Sequence, residues 1–194
     1  MLVLLVVAGV CLFSVRGLKR EVTQLVQQTL PGLQYAAMAN SLVCDGYVRC
    51  LDLASAPLSA SLTNDLEEIR QITRQADVYM EKYQDTIFDQ EDRANFAEVQ
   101  AVREHYLQVR DQFFALLRDQ RPTDALHFLK ASVTPAYNSY SESLSRLFEH
   151  KVKIGEIRRE QVMLLSFITP IIVGILFVLL FILGLLVSFK FIVP

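Results

Sequence analysis

Residues 162–189 are a run of 28 without one charged side chain. As a helix rising about 1.5 Å per residue this run is about 42 Å long, more than the roughly 30 Å hydrocarbon core of a bilayer. It is expected to be a transmembrane helix, tilted or emerging at one end, and it forces everything before it to fold as a tethered body. The charge pattern agrees. All 21 acidic residues lie between Glu21 and Glu160, and of the 19 basic residues only Lys190 lies outside Arg16–Arg159. Two nearly uncharged ends therefore enclose a polar middle.

The N-terminal run, residues 2–15, makes only about 21 Å of helix, too short to span alone. A signal peptide is the rival reading. However, no Lys or Arg precedes the run and no small-x-small cleavage site follows it. Cys11 in "VAGVC" sits where a lipoprotein cysteine would, but Val10 stands where a small residue is wanted. Residues 2–15 are read as most of a first transmembrane helix, truncated at its N-terminus, and residues 190–194 as a cytoplasmic stub.

Between these ends no stretch alternates apolar and polar residues as a half-buried strand does. Heptad spacing appears instead: Leu62, Leu66, Ile69, Thr73, Ala76, Tyr83, Ile87; then Phe96, Val99, Val102, Tyr106, Val109, Phe113, Leu116; then Leu126, Leu129, Val133, Tyr137, Tyr140, Leu144, Leu147. Such stripes pack helix on helix. Breaks at 55–65, 84–92 and 118–124 divide the region into helices of about 16–55, 62–84, 91–119 and 122–188. Asn64 with Glu67 is the candidate N-cap pair of the second helix, and Pro122 opens the fourth. The fold class is all-α: an antiparallel four-helix up-down bundle, residues 16–161, bracketed by two transmembrane helices. The two inner helices are too short to reach a bilayer. Their turn at 85–90 should lie level with Pro31-Gly32, where a proline inside the first helix costs a hydrogen bond and bends it.

Composition excludes several functions. No Lys/Arg-rich run or aromatic–basic interleaving supports nucleic-acid binding. Three cysteines are too few for a disulfide framework. Cys44 and Cys50 lie six residues apart on one helix, about 9 Å, beyond disulfide reach. No catalytic constellation stands out, and no cofactor or metal is expected. Asp124 and His127 are half of a carboxylate–histidine pair without its other half. Asp85, Asp89, Glu91 and Asp92 lack the glycine and spacing of a calcium loop and read as helix-cap charge.

Motifs then narrow the class. "LPGL" (30–33), the stretch "DRANFAEVQAVREHYLQVRDQFFALLRDQRPTDALHFLKASVTPAYNSYSESLSRL" (92–147) and its Pro135-Ala136-Tyr137 resemble, in order and spacing, the four-helix-bundle sensor domain of methyl-accepting chemotaxis proteins. The resemblance covers nearly all of residues 1–189. It implies a two-pass inner-membrane receptor whose periplasmic or extracellular bundle forms a homodimer and binds a small molecule or a periplasmic binding protein. Its second membrane helix, with Thr169-Pro170 as a local bend, would signal to an output module. In the family a HAMP linker and signalling coiled coil follow that helix, whereas this sequence stops at Pro194, so the module is expected to be missing. By position the resemblance points to Arg49, Thr134 and Asn40 as ligand-binding residues, Arg49 suiting a carboxylate. The basic residues flanking the membrane, Arg16, Lys19, Arg20, Arg158 and Arg159, argue for a cytoplasmic bundle, a conflict that the positive-inside rule leaves open for long loops. Two alternatives stand beside the chemotaxis receptor: a membrane-tethered bundle that holds a protein partner, and the same sensor on a histidine kinase or nucleotide cyclase.

Overall fold

Heptad-spaced apolar residues are buried by packing helix against helix, and the chain folds accordingly. The computed structural model describes residues 9, 15–55 and 62–192, which are helical apart from two short turns and contain no strand. Residues 15–24 are helical, a π-helical turn follows at Leu25–Thr29, and α1 runs Leu30–Ser55. Then come α2 (Leu62–Gln84), α3 (Gln90–Arg118), α4 (Pro122–Phe128), a second π turn (Leu129–Val133) and α5 (Thr134–Ile192). The expected first membrane helix, residues 2–15, lies outside the described residues except for Gly9 and Val15, as do the break at 56–61 and residues 193–194.

The chain divides into two compact units, Gln27–Lys153 and a second made of Met1–Val26 with Ile154–Pro194. The first is the four-helix bundle, α4, the π turn and α5 together supplying its fourth helix. Contacts fix an antiparallel register between each neighbouring pair. Tyr35 meets Tyr79 and Arg49 meets Glu68 across α1 and α2. Thr73 meets Arg110 and Tyr83 meets Phe96 across α2 and α3. Tyr106 meets Tyr140 across α3 and α5, and Asn40 meets Ser141 across α1 and α5. The core between them holds Ala36, Ala39, Leu66, Ile69, Val99, Phe113, Leu129, Val133, Leu144 and Leu147, all buried.

Two prolines lie inside this bundle, and both are met in the same way. A helical proline has no N–H for the carbonyl four residues back, and its ring presses on that carbonyl. For Pro31 that residue is Gln27 and for Pro135 it is Ala131, each the central residue of a five-residue π turn. The wider turn gives the ring room. It also moves the buried stripe. Ala125 is fully buried and Leu126, expected in the core, is only half-buried.

The helix ends follow local chemistry. Asp89 caps α3, its carboxylate accepting from Asp92 N–H at 2.7 Å. The C-terminus of α3 closes with Arg121 N–H on Leu116 O at 3.0 Å and Gln120 N–H on Leu117 O at 3.2 Å, and Gln120 takes a left-handed φ of 57°. Asn64 does not cap α2, because that helix begins two residues earlier at Leu62 and places Asn64 inside its first turn.

In the second unit, residues 154–192 of α5 carry the uncharged run. Among the described residues one helix is long and apolar enough to cross a membrane, and it is this one. Phe167, Ile171, Ile175, Phe177 and Phe181 are all exposed. Thr169 Oγ1 donates to Leu165 O at 2.6 Å just before Pro170.

Candidate functional site

Helical spacing brings two polar rows face to face. Asn40, Cys44 and Tyr47 share one side of α1, and Thr134, Tyr137 and Ser141 share one side of α5. Tyr47 Oη lies 2.8 Å from Thr134 Oγ1, which itself donates to Leu129 O across the π turn at 3.0 Å. The rings of Tyr47 and Tyr137 stack with centroids 3.9 Å apart. Ser141 Oγ donates to Asn40 Oδ1 at 3.1 Å. Burial and the adjoining Cys44 push the Tyr137 hydroxyl above its ordinary pKa, so it stays a neutral donor. This half-buried seam offers hydroxyls, an amide and aromatic faces.

Asn40 and Thr134 thus lie on one seam, each already engaged by a neighbour. Arg49 lies elsewhere, on the α1–α2 side, where its Nη1 is 2.7 Å from Glu68 Oε2 and its Nε is 3.6 Å from Asp45 Oδ2. Beside the seam, α1 presents Ala37, Met38, Ser41, Cys44, Val48 and Leu51 to solvent. Met38, Val48 and Leu51 are each about two-fifths exposed, at 39 %, 44 % and 38 %.

The second constellation was not anticipated. At the α2–α3 turn, Lys151 of α5 is wholly buried, as is Asp92 of α3, and Nζ lies 2.6 Å from Asp92 Oδ2. The ammonium also donates to Thr86 O at 2.8 Å and sits 5.0 Å from the Tyr83 ring centroid and 4.9 Å from that of Phe88. Tyr83 Oη donates to the other Asp92 oxygen at 2.6 Å. Burial, and then the Asp92 charge, push the Tyr83 hydroxyl far above its ordinary range. One position earlier on α5, His150 Nε2 donates to Asp89 Oδ2 at 3.1 Å. The chain approaches so closely here that a Cβ on Gly32 of α1 would fall 2.7 Å from Lys151 Cε and 2.8 Å from Thr86 Oγ1. Pro31-Gly32 and the 85–90 turn therefore do share one level.

Asp89, Asp92 and His150 have ligand atoms within 4.8 Å of one another. Yet the Lys151 ammonium already supplies the cation at Asp92, and Asp89 spends one oxygen as the α3 cap. The cluster is a latch between helices, and a divalent ion would have to displace its lysine. Asp92, expected as helix-cap charge, is the buried partner of that latch. The sequence signal was present: the spacing Leu144, Leu147, Lys151 puts a lysine on a core stripe.

No curated protein matches the chain. The family model described as a four helix bundle sensory module for signal transduction matches residues 1–162. The chain belongs to that family of four-helix-bundle sensory modules.

Proposed function

We propose that this sensory module is the input part of a transmembrane chemosensory receptor, with the bundle outside the inner membrane and residues 2–15 and 162–189 as its two spans. The observation that carries the reading is the length of α5. One helix bears the seam residues Thr134, Tyr137 and Ser141, the latch residue Lys151, and the uncharged run. A ligand that favours one packing of α1 against α5 shifts the population of two bundle states. Because Lys151 ties α5 to the α2–α3 turn, α5 moves with the inner hairpin and against α1, with Gly32 at the plane of closest approach. A small shift of α5 is then the signal handed to an output module.

The exposed face of α1 is the surface we assign to a second copy, since Val48, Leu51 and Met38 line up on it with small neighbours. Asn40 and Thr134 are the groups assigned to the ligand. Arg49 joins them only by releasing Glu68.

The experiment uses the full chain reconstituted in bilayers, with Cys11→Ser. Cys44 is exposed, whereas Cys50 is buried and burial pushes its thiol up to about 12 against the pull of Arg110. A mild oxidant should link two chains through Cys44 alone, and at least one small metabolite from a broad panel should raise the melting temperature. A chain that stays monomeric and answers no metabolite would overturn the receptor reading in favour of a tethered bundle.

A further inference from the structure

The bundle core holds a cation that the latch does not explain. Arg110 of α3 is only 5 % exposed. A guanidinium keeps its proton at any ordinary pH, so it cannot escape the cost of burial by becoming neutral. Its Nη1 donates to Thr73 Oγ1 at 2.6 Å, and its carbon stands 5.8 Å from the Tyr106 ring centroid and 5.2 Å from that of Phe114. Among the described residues the carboxylate in ion-pair range is that of Asp111, 3.7 Å from Nη2 and 65 % exposed. Arg110 Nε has no hydrogen-bond partner among the described residues. Thr73 answers the guanidinium only as a neutral acceptor, its own hydroxyl proton going to Ile69 O at 2.9 Å.

Arg110 lines a small internal cavity of about 20 Å³, together with Thr73, Asp77, Arg103, Tyr106 and Tyr140. Asp77 brings no free negative charge to it, being held by Arg103 through two hydrogen bonds of 2.8 and 2.6 Å. Burial pushes the Tyr140 hydroxyl up to about 12 and that of Tyr106 higher still, so both stay protonated donors. The side chains that line the cavity therefore carry one net positive charge, with Leu42, Val43, Ile72, Ala76 and Leu107 completing its wall, and they leave room for one water-sized group.

We propose that this cavity binds one halide ion, with Arg110 as its counter-charge, a carboxylate with its carbon chain being too large for a space of one water-sized group. The site lies within one protomer, apart from the α1–α5 seam, and it stands whether or not the chain is a receptor.

The test follows thermal unfolding of the full chain in detergent by circular dichroism at fixed ionic strength, with sodium gluconate as the bulky reference salt. Replacing gluconate by chloride should raise the midpoint saturably by about 3 °C for a site filled to roughly ten times its dissociation constant, and replacing it by the larger acetate should not. A rise with chloride alone assigns a halide site, and an equal or larger rise with acetate means a general anion effect and overturns the proposal. Arg110→Met should abolish the increment. Since that variant could lose its fold, chloride NMR line broadening on the unaltered chain, displaced by bromide, gives a second readout. A midpoint indifferent to the anion with no excess broadening means a cavity filled by water alone and overturns the proposal. So does an increment that survives in folded Arg110→Met.

Discussion

Lys151→Met is the most informative single change in this molecule. Methionine is close in length to the lysine stem, so the substitution leaves little cavity and isolates the loss of charge. Both partners are wholly buried, at 2.6 Å. Removing one partner of a buried pair leaves the other charge in low dielectric, which costs about 3–5 kcal/mol. Part of this is the Thr86 carbonyl, which loses its donor at about 1–3 kcal/mol. For a chain of this length the expected drop in melting temperature is about 10 °C. The assay is urea unfolding of the full chain in detergent, in a cycle of Lys151→Met, Asp92→Asn and the double variant. The double variant should recover much of the loss, giving a coupling of about 2 kcal/mol or more. Raising the salt to about 1 M should leave that coupling nearly unchanged, because a pair without solvent contact is little screened. A coupling below about 0.5 kcal/mol, or one that vanishes in salt, would refute the latch.

Three smaller changes test other parts of the structure. Burial pushes the Asp89 carboxyl up, but the Asp92 N–H, His150 and nearby Lys151 outweigh it and hold it below the ordinary 3.8. A depressed carboxylate stabilises the fold above its unfolded value and loses that contribution as pH falls through its folded value. Acid unfolding should therefore be shallower below about pH 4 in Asp89→Asn, as read by a pH titration of the unfolding midpoint. Gly32→Ala brings a Cβ within 2.8 Å of Lys151 and Thr86 atoms, so crowding of about 1–3 kcal/mol should exceed the roughly 1 kcal/mol gained in helix propensity, and urea unfolding should show net destabilisation. Gln120→Gly relieves the left-handed φ of 57° after α3 and should stabilise by about 0.5–1 kcal/mol in the same assay.

Most of the helical frame was legible because periodicity and breakers speak for themselves. The second helix was expected at 62–84 and is found at Leu62–Gln84, and Pro122 opens the fourth. The level of Pro31-Gly32 followed from helix rise alone. What escaped was polar chemistry inside the core. Arg110 and Lys151 occupy stripe positions, four residues after Tyr106 and Leu147, but a heptad pattern does not say whether such a cation snorkels outward or is buried with a partner. The partners, Asp92 and Thr73, come from helices whose register is set only by tertiary packing. The seam was half visible: Asn40 and Thr134 lie on it, while Tyr137 reads in the sequence as an ordinary core aromatic of its stripe and Tyr47, which stacks on it, belongs to no stripe. Asn64 misled because a good cap residue is also tolerated within the first turn, where it stands as the third residue of α2.

The two π turns bear on how chain length can vary in this fold. A π turn holds one residue more than an α turn and lets the helix continue on either side of it. Shortening Leu129–Val133 by one residue would restore regular α turns between α4 and α5, but it would also press the Pro135 ring back onto a carbonyl. The extra residue and the proline are therefore tied together, at Pro135 and again at Pro31. A deletion in 129–133 should be tolerated only alongside Pro135→Ala, and a sequence of the same fold with no proline at that place is free to be one residue shorter.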